Sequence, residues 1–245
     1  MTTLDVALEK FDASKAKVRK EIRDGFFDED GSLSVSENDL RLWIADRAVD
    51  ELKVVLQLAT VVAKSAHLIP PHILVQVTEQ MSDEARHFDI LRALVPRELH
   101  GTIDAKVAAL PTALDADPHW ASLVVAVEDG DPFAALLDVN IVHEGYSAAA
   151  IEELKTIPFD DIREAYAGIG TDEEKHHESG RELLLWLGNA AQGSRADQRV
   201  ATSAHERTEE GGAMSWQWPE ADTTEIIETA HKRADKGGAM SWSWP

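Results

Sequence analysis

Two stretches decide how this chain folds: DEARHFDIL (83–91) and DEEKHHESG (172–180). Each carries a glutamate followed three positions later by a histidine, Glu84/His87 and Glu173/His176. Residues three apart share one face of a helix, so each pair projects in one direction. Val77, Met81, Phe88 and Leu91 mark an apolar stripe around the first pair, and Ile162, Tyr166, Ile169, Gly180 and Leu183 mark one around the second. Both pairs lie on their stripes. The second stretch also holds an overlapping pair, Glu174/His177, but Glu174 falls with Glu178 and Arg181 on a polar edge. The core-facing register is therefore Glu173/His176, with His177 placed behind the ligands.

Two further stretches, VDELKVV (49–55) and IVHEGYS (141–147), each put one glutamate on an apolar face. Glu51 lies among Ile44, Ala48, Leu52, Val55 and Ala59, and Glu144 among Phe133, Leu137, Ile141, Ala148 and Ile151. A buried carboxylate without a partner is costly, or neutralises by shifting its pKa. One Glu-x-x-His alone would be an ordinary solvated helix face. Two of them, each preceded by a core-facing glutamate on the helix before, point to metal ions that offset the burial. Four carboxylates and two imidazoles suit iron or manganese.

These residues sit in four long segments of helical periodicity, 37–67, 71–95, 132–156 and 160–187, bounded by Pro70–Pro71, Pro96 and Pro158. The interval 97–131 predicts a shorter helix around 103–110 and a crossover. Alternating β-branched runs are nearly absent, which predicts an all-α four-helix bundle with extra helices. Residues 1–36 read as an N-terminal extension with a short amphipathic helical pattern. The acidic run that follows, DEDGSLSVSEND (28–39), lacks the ordered ligands and closing glutamate of a calcium loop and reads as a lead-in to a helix. The bundle is expected over 37–188 and a polar tail over 189–245.

Composition narrows the chemistry. The chain has no cysteine among its 245 residues, which removes thiolate sites and iron–sulfur clusters. A net charge of −21 repels phosphate backbones, so no nucleic-acid partner is expected. The first residues lack the apolar run of a secretory signal, and no stretch is long and apolar enough for a membrane span. A cytoplasmic location is the expectation.

The four stretches quoted above resemble the ferritin-like di-iron carboxylate superfamily over roughly residues 37–187. Its members include ribonucleotide reductase small subunits, acyl-carrier-protein desaturases, multicomponent monooxygenases, aldehyde-deformylating oxygenases and diiron N-oxygenases. The handed-down ligand pattern of such bundles, two lone glutamates and two Glu-x-x-His pairs, falls on Glu51, Glu84, His87, Glu144, Glu173 and His176. The resemblance implies two iron ions, with manganese as the alternative metal, and Glu84, Glu144 and Glu173 as the carboxylates closest to catalysis. It further implies O2 and an electron donor, a small organic or peptide substrate, and a homodimer. The expected activity is that of a di-iron oxidase or oxygenase; the alternative is a ferroxidase or iron-storage protein, such as encapsulin cargo. Tyr146, two positions after Glu144, reads as a peripheral core residue rather than a redox group. His72 and His143 read as surface or interhelix histidines. Gly180 on the core side of the last helix hints at close packing.

The tail carries a repeat. AHERTEEGGAMSWQWP (204–219) aligns without gaps to AHKRADKGGAMSWSWP (230–245), and the closing GGAMSW(Q/S)WP differs at one position only. Three readings compete: a duplicated docking motif that gains avidity for a protein partner, a peptide substrate released after a double glycine, and a cover for the bundle's own surface.

Overall fold

The computed structural model describes residues 3–189, with side chains for 15–184 and 186; the duplicated tail motif lies outside the described residues. The elements in chain order are α1 (Thr3–Phe26), α2 (Glu37–Ser65), α3 (Pro71–Leu94), α4 (His100–Asp115), α5 (Pro118–Glu128), α6 (Pro132–Leu137), α7 (Glu144–Leu154) and α8 (Asp160–Asn189). A π-helical segment, Asp138–His143, joins α6 to α7. Among the described residues the sole β pairing is an isolated antiparallel bridge between Phe27 and Leu33. The all-α multi-helix bundle expected from the periodicity is what forms.

Local chemistry sets where the helices begin. Ser36 caps α2 by accepting from the Asp39 backbone N–H at 3.1 Å. Pro71, Pro118 and Pro132 open α3, α5 and α6, where a missing N–H removes no helical bond. Asp117 and Asp131 cap the last two of these through their side chains. The long helices α2, α3 and α8, with the α6–α7 run, form the bundle: α2 packs on α3, α3 on α8, and α7 on α8. No helix of the described residues is long and apolar enough to cross a membrane.

Three features depart from the expected pattern. The N-terminal helix is long, and its Val18, Ile22 and Phe26 are buried, with α1 packed on α7. Arg23 pins this contact with an ion pair to Glu153 at 2.6 Å. The crossover holds two helices: α4 is longer than the expected 103–110 and runs through Pro111, and α5 follows it. Pro111 falls one turn before the helix end, so the helix loses a single hydrogen bond. The expected continuous helix over 132–156 is widened at Asp138–His143, immediately before Glu144. Gly180 of α8 makes room there: a Cβ on it would stand 2.8 Å from Asn140 Cβ and 3.0 Å from the Asn140 backbone carbon. The close packing hinted at by a core-side glycine is thus a contact with the π turn.

Candidate metal centre

Each helix of the bundle delivers its acidic side chain to one place. Glu51 comes from α2, Glu84 and His87 from α3, Glu144 from the first position of α7, and Glu173 and His176 from α8. Two groups of ligand atoms result, Glu51/Glu84/His87/Glu173 and Glu84/Glu144/Glu173/His176, and within each group the atoms lie within 4.8 Å of one another. Glu84 and Glu173 belong to both. All six residues singled out from the sequence are therefore brought together. Glu174 is exposed, as its polar edge suggested, and His177 instead donates from Nδ1 to the Asn140 carbonyl at 3.3 Å. His72 is exposed and His143 half-buried.

The imidazoles face inward through Nδ1. His87 Nδ1 is 3.3 Å from Glu84 Oε2 and 3.5 Å from Glu173 Oε1. His176 Nδ1 is 3.1 Å from Glu84 Oε1 and 3.6 Å from Glu173 Oε2. The two rings are 6.2 Å apart between centroids.

So many acids in one buried place perturb one another. Burial first, then neighbouring negative charge, pushes the Glu51, Glu144 and Glu173 carboxyls well above the usual carboxylate range. Burial also acts to raise Glu84, but the adjoining imidazoles of His176 and His87 outweigh it and hold that carboxyl low. Burial would depress His176, yet Glu84, Glu144 and Asp83 raise it to about 9.

Do these residues fit a pair of cations? Glu84 Oε1, Glu173 Oε2 and His176 Nδ1 are buried and make no hydrogen bond, although they converge within a few ångströms. Buried polar atoms are normally paired, and orphaned ones call for an explanation. A cation between them supplies it. Four carboxylates are also charge-balanced by two divalent ions, and the oxygen-rich donor set with two imidazoles is one that iron and manganese accept.

Behind the ligands lies a layer that the sequence reading missed. The residue before each Glu-x-x-His glutamate is an aspartate, and each aspartate serves the histidine of the opposite helix. His176 Nε2 faces Asp83 Oδ2 at 3.3 Å, and His87 Nε2 faces Asp172 Oδ2 at 3.4 Å. Arg86 bridges the two acids, at 2.5 Å to Asp83 and 3.0 Å to Asp172, and Lys175 donates to Asp172 at 2.7 Å. Burial opposes ionisation of Asp172, but Lys175, Arg86 and His87 more than offset it and lower its pKa to about 2. The outward nitrogen of each ring thus meets a carboxylate, which orients the ring and makes its inward nitrogen more basic. The signal was present in the sequence as the shared D-E-x-x-H of 83–87 and 172–176.

Two amides were also missed. Gln80, buried one turn before Glu84, donates from Nε2 to Glu144 Oε1 at 2.8 Å. Asn140 of the π segment donates from Nδ2 to Gln80 Oε1 at 2.7 Å. Of the two tyrosines, Tyr146 is buried in the core, and Tyr166 is buried with no hydrogen bond on its hydroxyl. Burial, then the nearby Glu51 carboxylate, raises the Tyr166 phenol far above its usual value.

Comparison with known protein families, characterised proteins and solved structures gives no match to this chain. Fold and geometry therefore define the class: an all-α helical bundle with two His/Glu clusters geometrically consistent with a ferritin-like di-metal site. Such a pair of clusters supports a general di-metal redox activity.

Proposed function

We propose that this protein is a non-haem di-iron oxidase or oxygenase that uses O2 to oxidise an organic substrate. The observation that carries the reading is the convergence of Glu84 Oε1, Glu173 Oε2 and His176 Nδ1, three unpaired buried atoms on two helices, between carboxylates shared by both clusters. Glu51, Glu84, His87, Glu144, Glu173 and His176 are the residues that would hold the metals, Glu84 and Glu173 being common to both clusters. An iron pair held there would supply the electrons that reduce dioxygen. The chain's own part is to hold the ligands and keep water out. Asp83 and Asp172 orient the imidazoles, and the buried walls around Glu84, Glu144 and Glu173 keep the site dry. Manganese is the alternative metal.

Anaerobic ferrous loading followed by air tests this. About two irons per chain, with an oxygen-dependent absorption change lost in Glu84→Ala and His87→Ala, is the expected result. Stoichiometric iron binding absent from the wild type would sink the reading. Continued uptake of iron far beyond two per chain would favour the ferroxidase alternative, for which the chain's acidic surface would gather cations.

Partners remain part of the proposal. An external electron donor is required for an oxygenase, and a homodimer is proposed for the bundle. The duplicated GGAMSW(Q/S)WP motif is proposed as a bivalent docking element for a protein partner. Intact mass after aerobic turnover separates this from the substrate reading, which requires an oxygen-dependent mass change within 211–245.

A further inference from the structure

The two halves of the site are not equivalent. Taking the di-metal reading as its basis, we infer that the Glu144 half is built in advance and takes the first ion, while the Glu51 half takes the second and adjusts to do so.

Three observations carry this. The unpaired buried atoms are His176 Nδ1 and the two carboxylate oxygens beside it, Glu84 Oε1 and Glu173 Oε2, on the side of the site that Glu144 shares. In the other half His87 Nδ1 is aligned in a hydrogen bond to Glu84 Oε2 at 3.3 Å, whereas the 3.1 Å approach of His176 Nδ1 to Glu84 Oε1 is a charge contact without hydrogen-bond alignment. Filling the Glu144 half relieves unpaired groups; the Glu51 half already holds a bond.

Glu144 is also fixed from behind. Gln80 Nε2 donates to its Oε1, and Asn140 Nδ2 donates to Gln80 Oε1. The orientation of both amides is set by their surroundings, because Asn140 Nδ2 also faces the His176 carbonyl at 3.4 Å, which can only accept. The Glu144 carboxylate is thereby held in one orientation by a donor that is itself held. The position one turn before Glu173, equivalent to Gln80 in α3, is Ile169, which can donate no hydrogen bond. The third observation is access. The Glu51 side chain keeps 16% of its surface exposed, whereas Glu144 is 1% exposed. A side chain that reaches the solvent edge has more freedom to reorient than one fully enclosed and tied to an amide chain.

Gln80 and Asn140 are accordingly positioning residues, and titration of the metal-free protein with Mn2+, followed by electron paramagnetic resonance, tests the order. With the wild type, the first equivalent should give the six-line signal of isolated ions, and the second should convert it to an exchange-coupled pair. Glu51→Gln should keep one tight ion per chain and never reach the coupled signal. Gln80→Leu should weaken the first step by about 10-fold or more, with unchanged far-ultraviolet circular dichroism. A coupled pair already present in the wild type at half an equivalent would overturn the order of filling while leaving the di-metal reading intact. So would loss of both steps in a folded Glu51→Gln. Failure of the wild type to bind Mn2+ or Fe2+ at all would overturn both. The wild-type experiment needs no variant, so a misfolded mutant does not blunt it.

Discussion

Asp172 Oδ2 stands 3.4 Å from His87 Nε2, and the two residues sit on different helices of the bundle. The mirror contact, Asp83 to His176, runs the other way. Each Glu-x-x-His pair is thus completed by the aspartate of its counterpart, so neither helix can orient its own histidine alone.

That exchange makes Asp172→Asn and Asp83→Asn informative. Either substitution should lower metal affinity by roughly 10–100-fold while leaving the helical content unchanged. Competition with a chelator of known affinity measures it. Unaltered affinity in both variants would mean that these acids only tether Arg86 and Lys175.

Gly180 and Gly168 lie on the same helix and should respond in opposite directions. Gly180→Ala drives a Cβ to 2.8 Å from Asn140 Cβ and should destabilise the fold by about 1–3 kcal/mol. Gly168 has open space around its would-be Cβ, so Gly168→Ala should stabilise by about 0.5–1 kcal/mol through helix propensity. Urea midpoints of the two variants decide it; equal midpoints would show that the π turn yields freely.

Lys53 of α2 and Asp117, the cap of α5, form a buried ion pair at 2.5 Å. Asp117→Ala removes this ion pair and the α5 cap together and should cost about 3–5 kcal/mol. The double variant Lys53→Met/Asp117→Leu should recover most of that loss. Burial acts to raise the Asp117 carboxyl, but Lys53 holds it below its ordinary 3.8. A lowered folded value means stability that is complete above about 3.8 and lost as pH falls through the lowered value. Acid unfolding of the double variant should lack this component.

Glu144 has the opposite sign. Its carboxyl is raised by burial and then by Glu173 and Glu84, so the metal-free folded protein holds a proton that the unfolded chain gives up. The resulting stability is complete below about 4.5 and declines as pH rises toward the raised value. Glu144→Gln should flatten that decline in the metal-free protein, read as the melting temperature across pH 5 to about 8. A slope identical to the wild type would show that Glu144 is ionised in the folded protein without metal.

Much of the fold and of the Glu/His cluster was legible in the sequence, because both rest on local rules. Apolar residues at helical spacing mark which face is buried, prolines and capping residues mark where helices begin, and a glutamate on such a face is conspicuous. The same spacing separated Glu173/His176 from Glu174/His177, since one pair lies on the apolar stripe and the other begins on its polar edge. What periodicity does not carry is the partner across the bundle. Asp83 and Asp172 fall beside their helices' buried faces, and only the packing of α3 on α8 turns each toward the other helix's histidine. The Asn140–Gln80–Glu144 chain depends on a π turn whose extra width is accommodated by a glycine 40 positions away in sequence, at Gly180. The sequence by itself determined a helical bundle with acids and imidazoles in its core; tertiary packing decided which of those groups are tied to one another, because the contacts that orient them, Asp172 to His87, Asp83 to His176 and Asn140 through Gln80 to Glu144, run between helices rather than within them.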